Sequence, residues 1–372
     1  MTESDSVKRR IHLVAGARPN FMKIGPLYHA LAATSWADPI LVHTGQHFSP
    51  EMSDVFLRDL GLPEPHVHLH ASGDSHATQT AAVLTAYEQC CLRDRPDAVV
   101  VAGDVNSTLA ACLAARKLNL FVAHLEAGLR SRDRTMPEEI NRIAVDTMAD
   151  LLWTPSEDAD ANLLSEGVPA SRIDRVGNIM IDAYCMMERT IDRADTAASA
   201  GVGGTPFIVA TIHRPVNVDD RAALETIVNQ LVELRRHVAV VFPIHPRTRA
   251  RLEQHGLDAV LTSAGIVVLP PLAYVGFMSL VKASAGVVTD SGGVQEETSY
   301  LGIPCLTVRE STERPITVTL GTNRLVSRDA IVEGVRSALR EPPPRRAIPL
   351  WDGHAAGRVA LSLRKHLDGL SA

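Results

Sequence analysis

Two carboxylates stand just after apolar runs of the kind that form buried strands, and a third follows at a helix start. Asp104 follows Ala98–Ala102 in Gly103-Asp104-Val105-Asn106-Ser107-Thr108, and Glu126 follows Phe121–Leu125. Glu138 lies a little further on in Met136-Pro137-Glu138-Glu139. Each has a plain structural alternative. Asp104 can cap a helix, Glu126 can pair with Arg130, Arg132 or Arg134, and Glu138 and Glu139 complement the positive end of a helix. Yet the three fall on one rim of one sheet. Carboxylates converging there are what proton transfer at carbon needs, because burial and mutual repulsion separate their pKa values.

A second group is built to hold an anion. Thr289-Asp290-Ser291-Gly292-Gly293-Val294-Gln295-Glu296-Glu297 reads as a buried strand end, two glycines and a helix start. Backbone N–H groups exposed there, at Ser291, Gly292 and Gly293, would cradle a diphosphate. Glu297, one turn on, can accept from ribose hydroxyls. Two strand-to-loop corners, Ile212-His213-Arg214-Pro215 and Ile244-His245-Pro246-Arg247, put His and Arg on the same rim. Arg18 and Lys23, in Gly16-Ala17-Arg18-Pro19-Asn20-Phe21-Met22-Lys23, either meet an anion at a helix start or are solvated cations. Tyr274 and Phe277, expected on the strand-end loop Leu272–Phe277, either stack on a base or pack in the core.

These positions depend on strands. Ile11–Ala15, Ile40–His43, Ala98–Ala102, Phe121–Leu125 and Leu151–Thr154 are short and almost wholly apolar. So are Phe207–Ile212, Val238–Ile244, Ile266–Leu269, Gly286–Thr289 and Pro304–Val308. Continuous apolar runs mark parallel strands buried on both faces. Helical stretches such as Ser75–Arg93, Pro137–Asp150, Asp219–Arg236 and Val294–Leu301 alternate with them, which predicts an α/β fold of doubly wound, Rossmann-like sheets. The pattern restarts near residue 205, after the linker-like Ala197–Thr205. The expected domains are 1–198, carrying the carboxylates, and 199–350, with a cleft between them. A C-terminal helix in 351–372 is expected to pack elsewhere, for instance back on the first domain.

The 372 residues leave room for two domains, and 45% are hydrophobic. A net charge of −6 argues against nucleic-acid binding. No apolar run reaches membrane length. The polar start, MTESDSVKRR, and five scattered cysteines without a C-x-x-C pattern fit a reduced, cytoplasmic protein. Neither a G-x-G-x-x-G nor a P-loop motif occurs, and no cofactor is expected. His66, His68 and His70 alternate as a metal site might, but no carboxylate pattern completes one, and no metal is expected.

Taken together, GARPNFMKIGPL, TGQH (Thr44–His47), GDVNST, HLEAGLRS, MPEEINR, the His213-Arg214 corner, FPIHPRTR, DSGGVQEE and ERP (Glu313–Pro315) resemble the non-hydrolysing UDP-N-acetylglucosamine 2-epimerases. The matches run in family order from about residue 11 to 326. The resemblance implies the two-domain glycosyltransferase-B fold, with UDP on the second domain at Ser291, Gly292, Gly293 and Glu297. It places His213 at the phosphates and Phe277 near the uracil, counts Arg214 and Arg314 among the substrate-binding residues, and has Arg18 and Lys23 reaching over from the first domain. Asp104, Glu126 and Glu138 become the catalytic carboxylates, joined by His213. The implied reaction removes the C2 proton, expels UDP to give a 2-acetamidoglucal, and adds UDP back after protonation on the other face. A homodimer is the family expectation.

Two departures stand out. Where the family commonly has Glu-Asn two residues after His-Arg, this chain has Pro215-Val216-Asn217. The segment His47-Phe48-Ser49-Pro50-Glu51 also differs from the subgroup activated by a second UDP-sugar, so activation is not carried over. Competing readings are a 2-epimerase of a modified UDP-HexNAc, a hydrolysing variant, a glycosyltransferase of the same fold and a non-enzymatic nucleotide-sugar-binding regulator.

Overall fold

The computed structural model describes residues 8–45 and 57–370. By its contacts the chain divides into two units, Met1–Met186 with Pro349–Ala372, and Met187–Ile348. Among the described residues, each unit holds one all-parallel sheet.

The first sheet has seven strands in the order β3-β2-β1-β4-β5-β6-β7. They are β1 (Arg9–Ala15), β2 (Ala37–His43), β3 (Val67–His68), β4 (Ala98–Ala102), β5 (Val122–Leu125), β6 (Leu151–Thr154) and β7 (Ile173–Arg175). The central β4 is buried at all five positions, as its unbroken Ala-Val-Val-Val-Ala run requires. Helices His76–Asp94 and Asn106–Lys117 cover one face, so Val99 and Val101 meet Tyr87, Cys90 and Ala111 in a single core.

The second sheet has six strands in the order β10-β9-β8-β11-β12-β13. They are β8 (Phe207–Thr211), β9 (Ala239–Pro243), β10 (Val267–Leu269), β11 (Gly286–Thr289), β12 (Cys305–Val308) and β13 (Asn323–Val326). The helix Arg221–Arg235 packs Leu224, Ile227, Leu231 and Leu234 against it.

In each sheet the strand order reverses once, between β1 and β4 and between β8 and β11. At such switch points the loops leaving neighbouring strands run to opposite faces and open a crevice beyond the carboxyl ends. Gly16–Lys23 and Gly103–Thr108 leave the first switch point. Thr211–Arg214 and Asp290–Gly293 leave the second.

Sequence reasoning did not anticipate β3, β7 and β13. All three are short edge strands with half-exposed residues, so none carries an apolar run. The stretch expected as a linker begins with a helical turn, Thr196–Ser199, and the division between units falls before it, inside the helix Ile179–Arg193. The C-terminal helix Ala355–Leu370 belongs to the first unit. The Asp182 carboxylate accepts the Ala355 and Ala356 N–H groups at 3.1 and 2.8 Å, capping it from outside. No helix among the described residues is long and apolar enough to cross a membrane. The divergent segment His47–Glu51 lies outside the described residues.

Candidate functional site

At the first switch point β1 ends and the chain turns through Gly16 and Ala17. Their N–H groups donate to Asn20 Oδ1, while Asn20 Nδ2 donates to the Ala102 carbonyl at 2.7 Å, pinning this turn to the end of β4. Gly16 is obligatory, because a Cβ there would lie 2.3 Å from Ser107 Oγ. The helix Arg18–Ala32 then starts. The Arg18 side chain lies outside what the structure describes.

One turn on, Lys23 is 6% exposed and forms an ion pair with Glu126, which is 8% exposed. The alternative that Glu126 pairs with a following arginine is therefore corrected. Arg130 instead holds Asp146 at 2.7 Å and Glu166 at 2.6 Å, because the chain reverses after β5 and carries Arg130 away from the rim. Glu126 is itself strained, with φ of 70°. A non-glycine residue in the left-handed region costs about 1–2 kcal/mol, and such residues cluster at functional sites. Gly103 covers the pair. Its φ is 67°, and a Cβ would lie 2.6 Å from Lys23 Nζ and 3.2 Å from Glu126 Oε2.

Asp104 is half-buried and is not the N-cap of the following helix, which begins at Asn106 with Val105 as cap. Its carboxylate accepts from Arg142 Nη2 at 2.5 Å, and its carbonyl from Asn141 at 2.8 Å. Both partners sit on the helix Pro137–Met148. Glu138, in that helix's first turn, is half-buried, and Glu139 is the buried neighbour. Glu139 accepts from the N–H groups of Ser131 and Arg132, from Ser131 Oγ and from Arg142 Nη1. Burial alone would raise its carboxyl; these four donors outweigh it and hold the group below the usual range.

His124, on β5, has no role foreseen from the sequence. Its Nδ1 stands 2.6 Å from Asp146 and its Nε2 2.8 Å from the Gly103 carbonyl, so it ties the Asp104 loop to the buried Asp146–Arg130 pair. The signal was available, since His124 lies one residue before the end of an apolar strand.

At the second switch point Asp290, fully buried, organises the loops. It accepts from the N–H groups of His213 and Arg214 and from Asn217 Nδ2, all at 2.9–3.1 Å. Its Oδ1 lies 3.2 Å from His213 Nδ1, which leaves Nε2 on the far side of a ring 35% exposed. His245 packs beside it, ring centroids 5.3 Å apart, and caps the helix Pro246–His255. Asn217 also accepts from Arg328 at 3.0 Å. Val216, at the position where the family commonly has glutamate, is 62% exposed, so the replacement strands no buried partner.

The helix Gly292–Leu301 starts at the glycines themselves rather than after them. Gly292 lies against Arg314 and Glu313, where a Cβ would be 2.6 and 2.7 Å away, whereas a Cβ on Gly293 would meet nothing within 4 Å. The first helical turn is therefore open at Gly293 and closed at Gly292, and the Ser291 N–H before it, expected to be exposed, donates to Thr289 Oγ1 at 3.0 Å. Arg314 pairs with Glu296 at 2.9 Å and Glu313 at 2.6 Å. Glu313 also holds Arg309 at 2.8 Å and lies 3.6 Å from Arg214. Three guanidiniums thus lie among Glu296, Glu313 and the buried Asp290 beside a helix N-terminus. Burial and the neighbouring Arg309 lower the pKa of Arg214. Arg309 was not foreseen, although it stands one residue past β12. Glu297 is buried in the same helix.

Tyr274 and Phe277 are not on a loop: both lie in the helix Tyr274–Ala283. Tyr274 is a buried core residue and Phe277 is half-buried. The loop reading failed because Pro270 and Pro271 mask a helix that starts three residues later. The alternating histidines serve structure. His66 Nδ1 accepts from Leu41 N–H at 3.0 Å, and His68 stacks on His70.

Comparison with known proteins shows the family and the fold. The family model for UDP-N-acetylglucosamine 2-epimerase matches residues 29–364. The chain is 41% identical over 362 residues to the UDP-2,3-diacetamido-2,3-dideoxy-D-glucuronate 2-epimerase of Pseudomonas aeruginosa, covering 96% of this chain and 99% of that protein. It is 38% identical over 340 residues to the UDP-N-acetylglucosamine 2-epimerase of Methanocaldococcus jannaschii, covering 89% and 93%. The crystal structure of the M. jannaschii enzyme with UDP-GlcNAc and UDP superimposes with a TM-score of 0.87, covering 96% of this chain and 99% of that one. The two doubly wound sheets are thus those of the glycosyltransferase-B type, and the chain belongs to the UDP-N-acetylglucosamine 2-epimerase family.

Proposed function

We propose that the protein interconverts UDP-N-acetylglucosamine and UDP-N-acetylmannosamine. The observation that carries the reading is the pair of cation-held carboxylates at one switch point, Glu126 with Lys23 and Asp104 with Arg142. Inverting a carbon that bears an unactivated hydrogen needs proton transfer on both faces, and simple group transfer to an acceptor does not.

In this reading the second unit binds UDP. The N–H groups of Gly292 and Gly293, the Ser291 hydroxyl and the cations Arg214 and Arg314 hold the diphosphate, Glu297 the ribose, and Phe277 the uracil side; the Ser291 N–H itself donates to Thr289 Oγ1 at 3.0 Å. His213, oriented by Asp290, contacts the phosphate and stabilises charge on the departing UDP. Lys23 and Arg18 contribute further positive charge. Asp104, Glu126 and Glu138 supply the proton-transfer set. One carboxylate takes the C2 proton, the C2–H electrons form the C1=C2 bond, and the C1–O bond breaks with its pair leaving on UDP. Protonation of C2 from the other face and return of the phosphate oxygen to C1 complete the inversion. Each proton taken is given back, so no cofactor is consumed.

A second substrate, a UDP-diacetamido-hexuronate, is favoured by the 41% identity to the P. aeruginosa enzyme. We place the enzyme in the cytoplasm, in keeping with its five free cysteines, and as a homodimer, which light scattering would test.

The deciding experiment incubates the protein in deuterated water with each UDP-sugar and follows C2 by NMR. Deuterium at C2 with both epimers present supports the reading. Release of free sugar points to hydrolysis, and no exchange with any UDP-HexNAc overturns it. Asp104→Asn should cut exchange by about 10²–10⁴-fold, the usual worth of a general acid or base, while UDP affinity holds. Full activity in that variant refutes the assignment.

A further inference from the structure

We propose that His12, Cys90 and Asp94 form a binding site for a zinc-type divalent cation in the first unit, separate from the proton-transfer site. It lies toward the other end of the sheet. His12 pairs in register with Val99 near the start of β4, whereas Asp104 and Glu126 follow the strand ends. Cys90 and Asp94 come from the last turn of the helix His76–Asp94.

The three ligand atoms, His12 Nε2, Cys90 Sγ and an Asp94 carboxylate oxygen, all lie within 4.8 Å of one another. Asp94 Oδ2 is 3.5 Å from Nε2 and 3.9 Å from Sγ. With zinc bonds of about 2.0–2.2 Å to nitrogen and oxygen and 2.3 Å to sulfur, tetrahedral geometry puts such neighbours about 3.4 and 3.6 Å apart. The two Asp94 distances are within a few tenths of an ångström of these values, and the His12–Cys90 distance, inside 4.8 Å, closes by side-chain rotation.

The independent observation is at His12. The residue is fully buried, and its Nε2 makes no well-formed hydrogen bond among the described residues, only the 3.5 Å ion-pair contact with Asp94 Oδ2. Leaving a buried polar nitrogen unsatisfied is costly, and this one faces the thiol and the carboxylate. The other ring nitrogen, Nδ1, lies 3.2 Å from Tyr87 Oη. A proton on Nδ1 leaves the Nε2 lone pair for a metal, so Tyr87 plays the outer-shell role that orients metal-bound histidines.

One imidazole, one thiolate and one carboxylate make a borderline donor set, which favours zinc over magnesium or calcium. Asp94, 30% exposed, gives the cation a way in and leaves a fourth position to water. The last-turn carbonyls of the helix add negative potential. The bound ion would cross-link β1 to the end of that helix.

The test uses the full-length, untagged protein, stripped with a chelator and titrated with cobalt(II), then zinc(II). One equivalent of cobalt should raise a thiolate-to-metal charge-transfer band in the near ultraviolet, and zinc should abolish it. Cys90→Ser should lose the band and Cys91→Ser should keep it. Asp94→Asn, at a half-exposed helix end, should weaken cobalt affinity at least tenfold, and Tyr87→Phe by about 10–100-fold, the usual outer-shell effect. Absence of the band in the unmodified protein overturns the proposal. So does a band that survives Cys90→Ser, or stoichiometric binding lost in His68→Gln/His70→Gln but kept in Asp94→Asn. If Cys90→Ser does not fold by circular dichroism, the Asp94→Asn and Tyr87→Phe affinities decide.

Discussion

Replacing Lys23 with methionine tests the arrangement at the first switch point most directly. The side chains of Lys23 and Glu126 are 8% and 6% exposed, so methionine leaves a buried carboxylate without its ammonium. Breaking a buried pair from one side costs about 3–5 kcal/mol. The double variant Lys23→Met/Glu126→Gln removes the charge as well and should cost at least about 2 kcal/mol less than Lys23→Met alone. The assay is urea unfolding followed by tryptophan fluorescence. All three tryptophans, Trp36, Trp153 and Trp351, lie in the first unit, so the signal reports that unit alone. A cost under about 1 kcal/mol, the scale of an exposed ion pair, refutes the reasoning. So does a double variant as unstable as the single one.

Two further outcomes follow from the geometry. Gly293→Ala adds a methyl that meets nothing within 4 Å, so stability should hold within about 0.5 kcal/mol. UDP affinity by calorimetry should nevertheless fall at least tenfold, because that space is where the proposed diphosphate sits; unchanged affinity places the phosphate elsewhere. Asp146→Asn should destabilise the first unit by about 3–5 kcal/mol near neutral pH, since it breaks a buried pair with Arg130. Burial alone would raise this carboxyl, but His124 and Arg130 outweigh it and hold it below its usual value. The stabilisation is therefore present above about pH 4 and fades as acid carries the pH through the lower folded value, narrowing the gap between the two proteins. Acid and urea titrations of both measure that gap.

The central strands were legible because they are buried on both faces. Burial on both faces forces an unbroken apolar run, and such runs stand at Ala98–Ala102 and Gly286–Thr289. The edge strands Val67–His68, Ile173–Arg175 and Asn323–Val326 were not, because a half-solvated strand needs no such run. The rim positions of Asp104, Glu126, His213 and Ser291 followed from their place just past a strand end.

Partnership is a different matter. Lys23 and Glu126 stand 103 residues apart, and Arg142 meets Asp104 across 38. Nothing local to Glu126 favours a lysine on the first helix over the arginine four residues away. The choice is made where β1 and β4 lie side by side at the switch point and the turn after β5 directs Arg130 to Asp146. The same holds for His12, which reads as an ordinary strand residue until the helix His76–Asp94 brings a thiol and a carboxylate to its buried Nε2. Residue type and strand-end position, set by burial along the chain, were written in the sequence. Which charge neutralises which depends on distances of a few ångströms between segments far apart in the chain, and only the packed sheets and helices decide those.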